Sequence, residues 1–377
     1  MNHKPLHLKP TSLPRRAVLI GAAASALPAW SLARDAALVL TPRPLVFPRD
    51  HGSHNDTRTE WWYLTGQARD AAGRAFGFQV TFFRSRIDST QALQSRLAAK
   101  HLLFAHAAIT DVQGGRLWHE QRMGRWNGEA PAQRERGVFA STADTDVALR
   151  DWTLRRGPDG TYTTRIESDT LQMALQAKPV QPLLLQGDQG FSRKGPSPSQ
   201  ASFYVSHPQL AVRGTLGLQG NSFEVQGTAW LDHEWSEALM HPDAVGWDWI
   251  GMNLDGGHSL TAFQLRRQDG SKLWAGGSFR AGGSTDVYRF IPGELDFVPQ
   301  RHWTSPRTGA RYPVEWRIRT PADFYTVKAV IDPQELDGDA STGTVYWEGL
   351  SDLFDSNGRR VGRGYLEMTG YAKRLVL

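Results

Sequence analysis

The chain contains no cysteine, so disulfides and thiol chemistry are excluded. It shows little net charge either. The formal +5 comes largely from residues 1–33, which carry Lys4, Lys9, Arg15 and Arg16 and no acid. Without those four, 39 basic residues face 38 acidic ones. That near balance leaves no basic patch for nucleic acid, and none is expected as a partner. No apolar run reaches the roughly 18–20 residues of a membrane span: the longest candidate, Ala17–Leu27, is followed by Pro28. There is no Gly-x-Ser-x-Gly elbow and no phosphate-binding glycine loop, which speaks against an α/β-hydrolase or a nucleotide enzyme. His233-Glu234-Trp235-Ser236-Glu237 starts like a zinc-protease helix but lacks the second histidine. His51, His54 and Asp56 have ligand chemistry at a spacing common by chance, so neither a metal nor a cofactor is expected.

What is abundant is tryptophan, with 14 residues, and glycine, with 37. Aromatic side chains suit pleated, half-buried surfaces and glycine suits tight turns, so the class expected is all-β. The N-terminus "PRRAVLIGAAASALPAWSLA" has a basic start, an apolar centre and a small-x-small end. Residues 1–33 therefore read as an export signal of twin-arginine-like form, with a periplasmic or secreted destination. Residues 34–58 read as an extended, Pro-rich lead-in.

Alternating hairpins follow. Thr59–Arg86 turns at Asp-Ala-Ala-Gly, Leu103–Arg122 at Gly114-Gly115, Val147–Ser168 at Gly157–Gly160, and Leu210–Trp235 at Gly220-Asn221. Short helices are expected near Leu93–Lys100 and Ser236–Met240. The second half repeats the style, so two closed antiparallel barrels are expected over residues 59–240 and 241–377, with a seam near 236–246.

Two clusters carry candidate chemistry. In "HNDTRTEWWYLTG", strand alternation puts Arg58, Glu60 and Trp62 on one face and Trp61 and Tyr63 on the other. This is either the polar floor of an aromatic pocket or a buried Arg58–Glu60 ion pair that fixes the strand. In "LDHEWSEALMHPDAVGWDWIG", His233 and Trp235 share a face, Asp232 and Glu234 the opposite one, and Trp247 and Trp249 alternate with Asp248. If the His233 and Trp247 faces look into one cavity, His233 and Asp248 become proton-transfer groups among tryptophans able to stabilise a cation. The bland reading is a satisfied histidine at a domain seam with tryptophan core.

Together "HNDTRTEWWYLTG", "FYVSHPQLAVRGTL", "GTAWLDHEWS", "GWDWIGMNLDGG" and "GRGYLEMTGY" resemble the AttH-like and carotenoid 1,2-hydratase-like family, over His51–Tyr371. The resemblance implies two tandem lipocalin-like, calycin-type barrels. It implies cofactor-free acid/base chemistry on an apolar polyene, terpenoid or lipid, such as hydration, isomerisation or cyclisation. It implies catalytic roles for His233, Asp232 and Asp248, and ligand contacts from Arg58, Glu60, Trp61, Trp62, Tyr63, Trp235, Trp247 and Trp249. Phe263 and Gln264 stand where the carotenoid hydratases suggest a Tyr/Asp-type pair, which points toward the AttH-like branch. Two other readings stay open: a periplasmic carrier of a hydrophobic small molecule with a transient membrane or ABC-transporter association, and a secreted hydrolase. A carrier needs the tryptophans and tolerates loss of His233, whereas an enzyme tolerates neither loss.

Overall fold

The computed structural model describes residues 1, 39–133 and 137–375. The export signal expected over residues 1–33 lies outside these, apart from Met1. No helix among the described residues is long and apolar enough to cross a membrane.

The expected hairpins form, except that Val147–Ser168 carries a further turn at Arg150-Asp151 and so spans three strands. The first sheet comprises β1 (Thr59–Asp70), β2 (Ala75–Arg86), β3 (His101–Asp111), β4 (Arg116–Trp126), β5 (Val138–Ala140), β6 (Asp146–Leu149), β7 (Trp152–Arg156), β8 (Tyr162–Glu167), β9 (Leu171–Lys178), β10 (Leu184–Leu185), β11 (Phe191–Arg193), β12 (Ala201–Leu218) and β13 (Asn221–Ala238). Its order is β4-β3-β2-β1-β13-β12-β9-β8-β7-β6-β5, with β10 and β11 pairing onto β12. The end strands meet: a Cβ on Gly124 of β4 would lie 2.7 Å from Val138 Cγ2 on β5. A sheet that curls until its edges meet leaves few unpaired backbone groups open to other chains.

The second sheet comprises β14 (Gly246–Leu254), β15 (Ser259–Arg266), β16 (Lys272–Arg280), β17 (Val287–Phe290), β18 (Asp296–Thr304), β19 (Arg311–Arg319), β20 (Phe324–Ala329), β21 (Glu335–Gly338), β22 (Thr344–Phe354) and β23 (Arg360–Met368). Its order is β17-β16-β15-β14-β23-β22-β20-β19-β18, with β21 on β22. These are the two tandem lipocalin-like barrels, all antiparallel.

Each barrel has its own apolar core. Trp62, Phe76, Phe78, Trp152 and Leu231 belong to the first, and Ile250, Tyr312, Trp316 and Trp347 to the second. A third cluster, including Tyr63, Trp230, Trp249, Phe263 and Tyr365, lies between them. The barrels touch closely there: a Cβ on Gly77 of β2 would sit 2.8 Å from the Tyr365 hydroxyl and 3.0 Å from Leu350 Cβ.

Three expectations need correction. The lead-in does not run extended throughout. Arg49–His51 makes a 3-10 turn, and Asp50, His51, Ser53 and His54 are buried. The His51 carbonyl accepts hydrogen bonds from Trp62 Nε1 and Thr145 Oγ1, fastening the segment to the first barrel. No helix forms over Leu93–Lys100, whose turns are too short to repay helix nucleation. Ser236–Ala238 is also not helical, because it continues β13 with Ser236 opposite Thr59 and Ala238 opposite Ala201.

Candidate functional site

Directly opposed residues of an antiparallel pair point to the same face. On β1 and β13 the opposed pairs are Glu60/Trp235, Trp61/Glu234, Trp62/His233 and Tyr63/Asp232. Trp62, buried in the first core, therefore carries His233, Glu60 and Trp235 inward. Trp61 and Tyr63 carry Asp232 and Glu234 outward, toward the second barrel. On β14, Trp247 and Trp249 oppose Leu265 and Phe263 and face the first barrel, while Asp248 opposes Gln264 and points into the second.

A cavity of about 220 Å³ lies on that seam. Aromatic residues on its wall include Trp61, Tyr63 and Tyr204 from the first barrel and Trp247, Trp249 and Phe263 from the second. Trp61 and Trp247 stack with ring centres 6.4 Å apart, and Tyr63 meets Trp249 edge-on at 5.4 Å. Acids break this apolar wall at five points: Glu60, Asp232, Glu234, Glu348 and Glu367.

These acids are not equivalent. Glu234 is paired with the Lys194 ammonium at 2.9 Å, and Lys194 also lies over the Tyr204 and Phe263 rings. Asp232 has no salt-bridge partner among the described residues. Its oxygens accept from Tyr204 (2.7 Å), Ser206 (2.5 Å) and Trp230 Nε1 (2.6 Å), yet burial outweighs these bonds and pushes its pKa up to about 7. Trp249 Nε1 donates to the Tyr204 hydroxyl at 2.9 Å, tying the second barrel to Asp232. Glu367 opposes both Trp249 and Glu348 across β23, so the two glutamates are direct neighbours. Burial raises Glu367 to about 7, against a hydrogen bond from Trp247 and with help from the Asp232 and Glu234 charges. Glu348 is raised well above the carboxylate range by burial and by Glu367. Near neutrality the wall thus holds protonated or readily protonated carboxyls among aromatic faces, the condition a general acid needs.

Of the other anticipated polar residues, Glu60 touches the cavity wall, but its carboxylate is engaged by partners within the first barrel. Glu60 is not paired with Arg58 by salt bridge. It takes Arg84 Nε at 2.8 Å, His54 Nδ1 at 2.9 Å, His233 Nε2 at 2.9 Å and Ser53 Oγ at 2.8 Å. Burial opposes its ionisation, but Arg84 and the histidine bonds win and hold it well below the usual range. Arg58 precedes the strand and is absent from the cavity wall. Trp62 stacks on His233 at 4.8 Å, and Trp235 stacks on His54 at 3.6 Å. Burial lowers the His233 pKa. The idea that His233 and Trp247 look into one cavity is therefore corrected: period-two alternation puts His233, Trp62 and Trp235 on the other side of the first sheet. Asp248 is likewise off the cavity. It is fully buried, ion-paired with Arg266 at 2.8 Å and hydrogen-bonded by Gln264 at 2.8 Å and Tyr371 at 2.8 Å.

His54, Glu60 and His233 are the group of potential metal ligands found among the described residues, with donor atoms within 4.8 Å of one another. Glu60 already answers Arg84, whose guanidinium supplies the positive charge a cation would bring, so the donor set does not favour a metal.

Sequence reasoning missed Glu348 and Glu367. Their signal was present: each is an acid between apolar residues on a strand, in "YWEGL" and "YLEMT". Only the pairing of β22 with β23 makes them neighbours.

The AttH-like family profile matches residues 38–371. A crystal structure of a Nitrosomonas europaea protein assigned to AttH is 44% identical, covers 88% of this chain and 99% of that one, and gives a TM-score of 0.81. Kievitone hydratase from Nectria haematococca is 12% identical over 88% of this chain and 94% of its own, with a TM-score of 0.66. CghA with Sch210972 is 14% identical over 88% and 94%, with a TM-score of 0.52. The last two share the fold. No curated protein matches the chain.

Proposed function

Because the chain belongs to the AttH-like family and carries neutral-range carboxyls in an aromatic cavity, we propose that it performs cofactor-free acid/base chemistry on an apolar, unsaturated substrate. The observation that carries this reading is Glu367: an acid with a pKa of about 7, on the cavity wall, beside Trp247 and Trp249. Its protonated carboxyl donates to one carbon of an isolated double bond. The cation that forms lies against tryptophan faces, whose quadrupoles stabilise positive charge. Water adds to the cation through oxygen, and its surplus proton returns to the Glu367 carboxylate, so the net reaction is hydration. Loss of a neighbouring proton to the same carboxylate gives isomerisation, and attack by a second double bond, followed by proton loss from the new cation to that carboxylate, gives cyclisation. Asp232, raised to the same range on the opposite wall, is the second proton-transfer group. The fold is shared with a hydratase, which is compatible with this chemistry. Export to the periplasm or beyond belongs to the same proposal and rests on residues 14–33.

The test is incubation of the full chain with a panel of acyclic terpenoid alkenes in heavy-oxygen water, followed by mass spectrometry. A labelled alcohol is expected from wild type, with a rate that falls as pH rises through about 7. Glu367→Gln should bind the alkene and form no product. Unchanged turnover in that variant would remove Glu367 as the acid. The mainly apolar wall also suits a carrier. That reading takes over if extracted ligand is recovered unaltered and no alkene is converted.

A further inference from the structure

Four buried polar atoms at the meeting of the two barrels have no hydrogen-bond partner among protein groups: the Tyr63 hydroxyl, Thr65 Oγ1, Gln79 Oε1 and Glu348 Oε1. They are neighbours by register. Thr65 on β1 opposes Gln79 on β2, and Tyr63 stands two residues before Thr65 on the same face. Gln79 Nε2 crosses to the second barrel and donates to Glu348 Oε2 at 2.6 Å. The Tyr63 hydroxyl lies beside the Glu348 carboxyl: burial and that carboxyl keep the Tyr63 hydroxyl protonated, while burial and the Glu367 charge raise Glu348 against the opposing influence of Tyr63. Buried polar atoms are nearly always paired, and four unpaired ones on adjoining strands are not incidental. Tyr63 and Glu348 line the cavity, while Gln79 and Thr65 lie behind them.

The donor and acceptor inventory defines the occupant. Tyr63 and Thr65 each offer a hydroxyl that donates or accepts, Gln79 offers a carbonyl that accepts, and neutral Glu348 can do either. Among the described residues no Lys or Arg is ion-paired to Glu348 to neutralise an anion, and burial keeps Glu348 itself neutral, so it offers no charge to a cation. We propose that these residues form a subsite for one uncharged hydroxyl-type oxygen, supplied either by water or by an alcohol group of the ligand. This rests on the reading of the cavity as an apolar-ligand site. Under hydration chemistry it names the place from which water reaches the cation, with the Glu348–Glu367 pair taking the proton that water sheds.

The experiment combines crystal structures with tryptophan-fluorescence titration, using the full chain and two probes of similar skeleton, geraniol and the hydrocarbon myrcene. An oxygen is expected within hydrogen-bond distance of Tyr63 and Glu348: water in the free protein and the myrcene complex, the alcohol group in the geraniol complex. Geraniol should bind about tenfold more tightly, the value of one well-made buried hydrogen bond. Tyr63→Phe, which keeps the ring and removes the hydroxyl, should bring the two affinities together, and Glu348→Gln serves as the second variant if the first is poorly folded. Equal affinities with no oxygen at the subsite overturn the proposal and leave the cavity reading intact. An ordered oxygen in a protein that binds neither probe supports the subsite as a water site and sinks the cavity reading instead.

Discussion

Replacing Asp232 by Asn should make the protein more stable, and increasingly so as pH rises. A carboxyl whose pKa is higher in the folded state than in the unfolded chain contributes stability that is complete below the unfolded value. It loses that contribution as pH rises through the folded value. For Asp232 those limits are 3.8 and about 7. At 1.36 kcal/mol per pH unit, the wild type loses roughly 4 kcal/mol across this window, of which about 3 kcal/mol falls between pH 5 and pH 8. Asparagine imitates the protonated acid. Its carbonyl can keep the bonds from Ser206 and Trp230, and its amide can donate to the Tyr204 hydroxyl, which already accepts from Trp249. Imperfect geometry adds an offset that does not vary with pH, so the slope is the quantity to measure. Urea denaturation of both proteins from pH 5 to pH 8 should give curves that diverge by about 3 kcal/mol. Parallel curves would show that Asp232 is ionised without penalty, and the argument for neutral-range acids on the wall would fail with it.

On the acid side the sign reverses. Glu60 and Asp50 are held below their ordinary values, so stability present above pH 4.5 should be lost on acidification below that point, seen as a falling melting temperature. Arg84→Met should cost about 3–5 kcal/mol in urea denaturation, because it strands the fully buried Glu60 charge. His233→Ala should lower stability while leaving myrcene affinity within about twofold once folded, since His233 lies off the cavity wall; a tenfold loss of affinity would return His233 to the site. Trp62→Ala should cost about 3–5 kcal/mol as a core cavity, whereas Trp249→Ala should also abolish fluorescence-detected binding.

Much of the architecture was legible because it depends on local chemistry. Turns such as Gly114-Gly115 and Gly220-Asn221 mark hairpins wherever the chain goes, and period-two alternation correctly separated Trp61 and Tyr63 from Trp62. The same alternation also set Asp232 and Glu234 apart from His233. It could not say which face was the inside of the barrel, because over Trp62–Thr65 and Ala229–Ser236 both faces are buried and both read as mixed polar and aromatic. The Arg58–Glu60 pairing failed for a related reason. Glu60 has Arg84 directly opposite on β2, an across-strand neighbour 24 residues away that outcompetes one two residues distant.

The sequence by itself determined an all-β chain, its hairpin turns and two barrels, which follow from turn propensity and side-chain periodicity, while the family followed from the resemblance of its motifs. Only the tertiary structure decided where the chemistry lies. Docking the outer wall of one barrel on that of the other desolvates Asp232, Glu348 and Glu367 together, and desolvation depends on what surrounds a carboxyl rather than on what flanks it in the chain.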